Sequence, residues 1–381
     1  MTVEIQTIRP GESIKDFLNV AFEVYRNEPN YVFPIDLEDR LNPKKNPFFL
    51  HADAAYFVAR RGGKLVGRVT AQIDHEHQTR YNDKVGFFGF LDTIDDEEVV
   101  RVLLETASAW LKERGMTSMR GPMSLSINEE MGNLIEGFDT PPSLMMPHHW
   151  PYQGGLIEKA GLTKIKDVFA WNYLVGEVPA RARRAHTEML KDPALKIRTI
   201  DLSNAERDMR IVMEIFNETW ADNWGFVPMT EPELKKTVED FKLILRPEIA
   251  LIVEINGEPA AIAIAVPNVH EAIHDLKGSL FPTGFIKLLW RLKVSGTKSA
   301  RLMLLGVRKK IREQKKYMPL SVALYTEMND RGQKLGMTHG ELSWTLEDNA
   351  PVNVAIKAMG AKIYKTYRVY ERPIEQASSA S

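Results

Sequence analysis

A stretch near the end of the 381-residue sequence, ELSWTLEDN (341–349), has polar residues at every second position: Glu341, Ser343, Thr345, Glu347 and Asn349. In an extended strand these side chains would share one face. Glu341 or Glu347 could then remove a proton from an amine, directly or through water, with Asn349 ending the row. Tyr325, earlier in the chain, could supply a phenol proton. The alternatives are a solvated strand face and a packed aromatic residue.

A second group of candidates falls in the segment 129–153, which is rich in glycine and proline. The adjacent His148 and His149 could act as bases near neutral pH, and Asn128, Glu129 and Tyr152 could contact a substrate. A long loop in an α/β domain is usually functional or mobile, although packing without chemistry is an open alternative. Its residues match no standard metal-ligand spacing, so we expect no metal.

The elements that would position these residues recur in the same order in the two halves of the chain. Segments 54–74 and 248–268 each predict a hairpin of two apolar strands around a tight turn. A further strand is predicted after each hairpin, at 85–93 and at 301–307, and an amphipathic helix follows each of these strands.

The strands after those helices align without a gap at an offset of 221 residues, with Gly115-Met116-Thr117 matching Gly336-Met337-Thr338 and Asn128 matching Asn349. We therefore predict a duplication. Its parts are an N-terminal half at 1–185 with an inserted loop at 129–153, a C-terminal half at 195–373, and a disordered tail at 374–381. Two unrelated α/β domains are the alternative.

The order helix, helix, hairpin, strand, helix, strand, Asn turn, helix, strand resembles the GNAT acyltransferase fold. A GNAT domain typically ends Asn–x–x–Ala–x–x–x–Tyr–x–x–x–Gly–Phe. Asn349 and Gly360 have this spacing, whereas Ile356 and Ala361 occupy the Tyr and Phe positions. The resemblance implies an α/β (α+β) protein of two tandem GNAT folds, each a mixed, mostly antiparallel twisted sheet flanked by helices.

One bacterial branch of tandem GNAT proteins is similar over roughly residues 5–373, including GFFGF, GPMSLSINEEMGNLIEGFDTPPSLMMPHH and ELSWTLEDN. That branch includes proteins described as bacterial ceramide synthases, which N-acylate a long-chain sphingoid amine with acyl-CoA. The resemblance implies an acyl-CoA-dependent N-acyltransferase with a small-molecule or lipid amine as acceptor. It also suggests that the first half completes the substrate pocket.

The resemblance further implies where CoA would bind. In GNAT enzymes its pyrophosphate lies on the N-terminus of the helix after the fourth strand, where backbone N–H groups form an anion site. The first half has LDTIDDEE there, and these acids would repel phosphate. The second half has a basic run with the candidates Arg312, Lys315, Lys316, Tyr317 and Ser321, although Pro319 replaces the usual glycine. A solvated face or an anionic-lipid contact would have the same composition.

An apolar and basic segment, FIKLLWRLK (285–293), interrupts the second half. This pattern is typical of a buried helix, of a membrane-surface contact or of a cover over an acyl chain. Phe285 and Trp290 are candidate substrate contacts, and Trp224 in WADNWGFVPM could help form the same pocket.

Composition restricts the remaining possibilities. A net charge of −1 gives no global reason to expect nucleic acid, and the absence of cysteine excludes disulfides and a cysteine nucleophile. The first residues lack the apolar core of a signal peptide, and no run reaches the roughly 18–20 apolar residues of a membrane span. We expect a cytoplasmic protein, with peripheral contact to the inner membrane through 285–293 as an option. A non-catalytic GNAT-like binding protein and an aminoacyl-tRNA-dependent transferase are the alternative functions.

Overall fold

The computed structural model describes residues 1–280 and 282–375. The strands of these residues are β1 (Val3–Ile8), β2 (Ala52–Arg61), β3 (Lys64–Asp74), β4 (Val85–Thr93), β5 (Ser118–Gly121), β6 (Met123–Ser124), β7 (Glu130–Met131), β8 (Asn133–Glu136), β9 (Thr163–Leu174), β10 (Leu195–Thr199), β11 (Ala250–Ile255), β12 (Glu258–Pro267), β13 (Ser299–Val307), β14 (His339–Leu346) and β15 (Lys362–Pro373).

The α-helices are α1 (Lys15–Val24), α2 (Leu37–Arg40), α3 (His75–Tyr81), α4 (Glu97–Lys112), α5 (Tyr152–Lys159), α6 (Ala180–Met189), α7 (Ala205–Trp220), α8 (Glu231–Lys242), α9 (Val269–Ile273), α10 (Gly284–Trp290), α11 (Lys309–Arg312), α12 (Leu320–Lys334) and α13 (Ala350–Ala358). Short 3-10 turns include Pro47–Leu50, Pro247–Ile249 and Lys315–Tyr317.

The chain forms two compact units. Of the described residues, unit 1 comprises Met1–Val168, Leu276–Ser279 and 365–375, and unit 2 comprises Phe169–Asp275 and Leu280–Tyr364. The predicted limits 1–185 and 195–373 describe the duplicated halves and stay a prediction. Ile374, which we assigned to the tail, is buried in unit 1, where its N–H donates to Thr117 O. Residues 376–381 of that predicted tail lie outside the described residues.

The sheet of unit 1 has the order β1-β2-β3-β4-β5-β15. Neighbours from β1 to β4 are antiparallel, β4 and β5 are parallel, and β15 is antiparallel to β5. The predicted hairpin at 54–74 is confirmed as β2 and β3. One face of the sheet buries apolar residues of α4, such as Leu103, and the other face buries residues of α1, such as Phe17.

The sheet of unit 2 has the order β9-β14-β13-β12-β11-β10, in which β9 contributes its residues from Phe169 onward. The predicted hairpin at 248–268 is confirmed as β11 and β12, joined at Asn256 and Gly257, both with positive φ. β13 and β14 are parallel. Opposite β12 the register slips at Met303, which is left without a partner residue and forms a β-bulge.

The aligned glycines have the same local structure in both units. Gly115 after α4 has φ +80 and Gly336 after α12 has φ +74. The N–H of Met116 donates to the carbonyl of Leu111, and that of Met337 to Gly332, five residues back in each case. Glycine suits this helix-ending turn because it adopts positive φ without steric cost. The repeated sequence therefore folds into a repeated structure.

The segment 129–153, predicted as a long loop, contains regular structure. β7 pairs with β6, and β8 pairs with β15, where Leu134 lies opposite Tyr367. The insertion itself stays a prediction. Within the segment, strand pairing supplies partners to backbone groups that are buried.

Candidate functional site

A buried polar network lies where β13 and β14 pair in unit 2. Arg301 and Glu341 are direct register partners, and each is 4 % exposed. Nε of Arg301 donates to Oγ of Ser343 at 2.7 Å, and Ser343 in turn donates to Oε1 of Glu341. The hydroxyl of Tyr364 donates to Oε2 of the same carboxylate. The predicted residues Glu341 and Ser343 thus share a face, and the network adds Arg301, which sequence reasoning missed.

Directly after this network the two strands separate. Their last paired residues are Leu302 and Leu342, and the side chains of β13 from Leu302 to Leu305 are only half-buried. Leu302 and Leu342 pack on the α12 face of the sheet, so strand alternation puts Arg301 and Glu341 on the opposite face. The bulge at Met303 lies in this opening, and bulges are common next to active sites.

An apolar pocket that is partly open to solvent, with about 530 Å³ of empty space, lies on the α12 side of the same strands. Tyr325, Met328 and Gly332 of α12 line it, together with Leu302 and Leu342, and Glu341 borders it. Burial raises the pKa of the Tyr325 hydroxyl above its ordinary value, so this phenol is neutral near pH 7. Tyr325 and Glu341, two predicted catalytic residues, thus lie at the same pair of strands in unit 2, with Tyr325 on the α12 face and the Glu341 side chain on the opposite face.

Two other predicted residues fall outside the alternating row. β14 ends at Leu346, so Glu347 lies in a turn and Asn349 immediately precedes α13. The prediction that all five polar residues share one strand face is therefore wrong for Glu347 and Asn349, because the turn that starts α13 interrupts the alternation. Ile356, which occupies the GNAT tyrosine position, is buried in the core.

The basic run before α12 is only partly available to a ligand. Nζ of Lys316 lies 2.7 Å from Oδ2 of Asp192, and the Tyr317 hydroxyl donates to the same oxygen at 2.9 Å. Arg312 and Lys315 are exposed and have no such partner among the described residues. Ser321 lies in the first turn of α12, which follows Pro319 and so lacks a side-chain acceptor at its cap.

The corresponding helix of unit 1 is capped by its own side chain. Asp96 accepts from the N–H of Val99 at 3.1 Å and pairs with Arg61 at 2.5 Å. The hydrogen bond from Arg61 lowers the pKa of Asp96, which keeps the carboxylate ionised. A phosphate at this helix end would meet a carboxylate instead of free N–H groups.

Unit 1 also contains a buried charge pair that sequence reasoning missed. Arg68 of β3 donates to Asp92 of β4 at 2.7 Å, and the Tyr25 hydroxyl donates to the other oxygen of Asp92 at 2.6 Å. Tyr31 stacks on Tyr25 with ring centroids 3.8 Å apart. The sequence did contain a sign of this buried pair, because Arg68 and Asp92 each interrupt a predominantly apolar strand sequence.

Glu129, a predicted substrate contact, joins a second ion cluster in unit 1. Arg40 donates to Glu129 at 3.0 Å and to Glu130 at 2.5 Å. Burial raises the pKa of Glu129 above its ordinary value in spite of Arg40. Asn128 precedes this pair, and its N–H donates to Oγ of Ser126.

The predicted bases His148 and His149 are buried in unit 1. Burial lowers the pKa of His148 to about 3 and also lowers that of His149, so both imidazoles are neutral at pH 7. Nδ1 of His149 accepts the N–H of Leu134 at 3.1 Å. Tyr152 donates to the carbonyl of Thr93 at 2.7 Å. These contacts hold the segment 129–153 in place and leave a catalytic role untested.

The segment 285–293 includes an exposed apolar helix in unit 2. Phe285 is 56 % exposed and Trp290 is 60 % exposed, and Ile286 and Leu289 are exposed with them. Trp224 lies in the connection between α7 and α8. No helix of the described residues is long and apolar enough to cross a membrane, and these residues contain no cluster of three or more metal-ligating side chains.

Two curated proteins are similar to this chain over nearly its whole length. A bacterial ceramide synthase of Caulobacter vibrioides is 39 % identical over 371 residues, which are 96 % of this chain and 96 % of the relative. The chain belongs to the tandem GNAT-like acyltransferase family that includes this bacterial ceramide synthase. Protein YghO of Escherichia coli is 38 % identical and covers 97 % of this chain and 95 % of its own length. No protein-family model matches the chain.

Solved structures support the same fold. A tandem GNAT protein from the clavulanic acid biosynthesis pathway superimposes with a TM-score of 0.57 at 12 % identity, covering 99 % of this chain and 100 % of its own. A GCN5-related N-acetyltransferase from Sphaerobacter thermophilus gives a TM-score of 0.52 at 10 % identity, with 98 % and 96 % covered. The predicted fold of two tandem GNAT domains is confirmed.

Proposed function

We propose that this protein transfers an acyl group from a coenzyme A thioester to the amino group of a long-chain amine. The observation that carries this proposal is the hydrogen-bonded carboxylate of Glu341, one residue before β13 and β14 separate. The relative named bacterial ceramide synthase supports a long-chain acceptor, because a ceramide is the amide of a fatty acid and a long-chain base.

In the proposed reaction Glu341 is the general base. The amine nitrogen attacks the thioester carbonyl, a C–N bond forms, the C–S bond breaks, and the ammonium proton passes to Glu341. The thiolate that leaves must gain a proton. The Tyr364 hydroxyl, which is hydrogen-bonded to Glu341, is the donor we propose in place of the missing GNAT tyrosine. Protonated Glu341 then passes the amine proton to the Tyr364 phenolate, which restores both groups. Arg301 and Ser343 position the carboxylate.

The acyl-CoA phosphates would bind at the start of α12. The N-terminus of this helix is free of a capping carboxylate and favours an anion. Arg312 and Lys315 are two of the exposed cations that precede it. We include Ser321 as a hydroxyl donor and leave Lys316 and Tyr317 as secondary contacts, because Asp192 already binds both.

The test is an assay of purified protein with acyl-CoAs of several chain lengths and sphinganine, short amines or no amine as acceptor. Release of free CoA together with the matching amide in the mass spectrum is the expected result, strongest with sphinganine. No amide from any pair would overturn the proposal and favour a non-catalytic binding protein. Retention of tRNA at physiological salt without CoA binding would favour the aminoacyl-tRNA alternative.

We also propose that α10 contacts an anionic membrane surface, from which a long-chain amine would be taken. Its exposed Phe285, Ile286 and Trp290 form an apolar group beside the exposed Lys287, and such helices bind at the lipid headgroup boundary. The protein should co-sediment with vesicles that contain phosphatidylglycerol, and Phe285→Ser with Trp290→Ser should abolish this. Leu243→Ser, at another exposed apolar position, is the matched control. Equal loss in both variants would contradict the contact.

A further inference from the structure

The pocket between α12 and the first residues of β13 and β14 is not needed for the proton transfers described above. Its walls are predominantly apolar, as the walls of small-molecule sites commonly are. Its walls include Tyr325, Met328 and Gly332 on α12, Ala300 and Leu302 on β13, and Leu342 on β14. We propose that this pocket binds the hydrocarbon chain of a fatty acyl group, which rests on the proposed function in that the acyl-CoA brings the chain.

The hydrogen-bonding groups in the walls favour an apolar ligand. Asn329 borders the pocket, but its Oδ1 accepts from the Tyr173 hydroxyl and from the N–H of Gly176, both at 2.9 Å. Its Nδ2 donates to the carbonyl of Gly176 at 2.8 Å. A polar chain placed here would lose its water contacts without finding partners, whereas a hydrocarbon chain would gain from burial.

The hydroxyl of Tyr325 distinguishes one end of the pocket. Its side chain is 8 % exposed, and within residues 1–280 and 282–375 the hydroxyl makes no hydrogen bond. Because burial raises the pKa of this phenol, it keeps its proton near pH 7 and can donate to a carbonyl oxygen. Tyr325 is five residues from the start of α12, about 8 Å along the helix. The hydrocarbon chain would enter the pocket at this end, and its tail would lie farther along α12.

Gly332 marks the other end, seven residues or about 10 Å along the helix from Tyr325. A glycine inside a helix lowers helix stability by about 1 kcal/mol relative to alanine, so its presence here calls for an explanation. A Cβ at this position would meet Val175 at 3.8 Å and Met337 at 3.9 Å, which are ordinary contacts. A methyl group therefore fits, whereas a longer side chain would extend into the pocket. The glycine keeps space that a chain can occupy.

The experiment compares Gly332→Leu, which fills the far end, with Gly155→Leu, at an exposed glycine of α5 where an added Cβ would meet no other atom. Binding of the fluorescent fatty acid cis-parinaric acid is measured without turnover, and kcat/KM is measured for acetyl-CoA and dodecanoyl-CoA with sphinganine. We expect Gly332→Leu to weaken parinaric acid binding and the dodecanoyl-CoA reaction at least tenfold, with acetyl-CoA changed less than twofold. Gly155→Leu should leave all three within twofold.

The outcomes separate the pocket from the reaction. Loss of parinaric acid binding in Gly332→Leu without amide formation by any variant would keep the pocket and overturn the proposed function. Amide formation with unchanged parinaric acid binding and unchanged chain preference in Gly332→Leu would overturn the pocket alone. If Gly332→Leu does not unfold cooperatively, Leu302→Ala enlarges the pocket instead and should shift preference toward longer donors; an unchanged preference would contradict the proposal.

Discussion

The fourth strand and the helix after it differ between the two units, although both derive from one repeated pattern. In unit 1 every residue of β4 is buried, and a Cβ on Gly89 would lie 2.1 Å from the carbonyl oxygen of Met123. In unit 2 the middle of β13 is half-exposed beyond its pairing with β14. Asp96 caps α4, whereas α12 starts after a proline and a basic run.

This difference indicates a division of roles between the copies. A strand packed against the next one leaves no room for a substrate, and a capped helix N-terminus leaves no N–H groups for phosphate. The open strand of unit 2 and its uncapped helix retain both features. The charges of unit 1, such as Arg68 with Asp92, are instead paired in its interior.

The largest expected effect is that of the carboxylate beside the open strand. Glu341→Gln should lower the rate of amide formation by about 10²–10⁴-fold, because an amide cannot take the amine proton. Glu129→Gln in unit 1 should change the rate less than threefold. The rates are compared at saturating acyl-CoA and sphinganine, with thermal unfolding as a control for folding. Because burial raises the pKa of Glu129, it is the rival base, and the reverse pattern would move the chemistry to unit 1.

The sequence predicts the features that depend on local patterns, and it does not predict contacts between residues that are far apart in the chain. The hairpins, β4, α4 and the glycines at 115 and 336 follow from local patterns, and the structure has them. Arg301 was missed because its partner Glu341 lies 40 residues away, and only the strand register brings them together. The strand face predicted from Glu341 to Asn349 was too long, because β14 ends at Leu346 and the chain turns into α13, which alternation of residue types does not reveal.

The next largest effect is a pH dependence of the free energy of unfolding, caused by the buried His148 of unit 1. This side chain lies near Glu28, His149 and Lys365. Its pKa of about 3 lies below the roughly 6.5 of an unfolded histidine. Its contribution to stability is therefore present above about pH 6.5 and is lost as the pH falls toward 3. Between pH 7.5 and pH 5 the loss should be about 2 kcal/mol.

This prediction is checked by denaturant unfolding of the protein and of His148→Gln across that pH range. The gap in unfolding free energy between the two should narrow by about 2 kcal/mol toward pH 5, because glutamine does not titrate. Parallel curves would contradict a neutral buried imidazole and would restore His148 as a candidate base near neutral pH.

A smaller effect is expected at the uncapped helix of unit 2. Arg312→Gln with Lys315→Gln should raise KM for acyl-CoA about tenfold, since the two exposed cations would no longer attract the phosphates. The rate at saturating acyl-CoA should stay within twofold. Lys235→Gln with Lys242→Gln removes two exposed charges elsewhere in unit 2 and should leave KM unchanged. An equal rise of KM in both double variants would show that the overall charge of the protein, and not phosphate binding at α12, causes the effect.

The smallest effect contrasts the two helix starts directly. Asp96→Ala should lower the unfolding free energy by about 1 kcal/mol, because the N–H of Val99 loses its acceptor and Arg61 its partner. Acyl transfer should be unchanged. Ser321→Ala, in the first turn of α12, should change stability by less than about 0.5 kcal/mol but should raise KM for acyl-CoA. If Asp96→Ala raised that KM as well, the helix of unit 1 would also bind the donor, and the division between a closed and an open copy would fail.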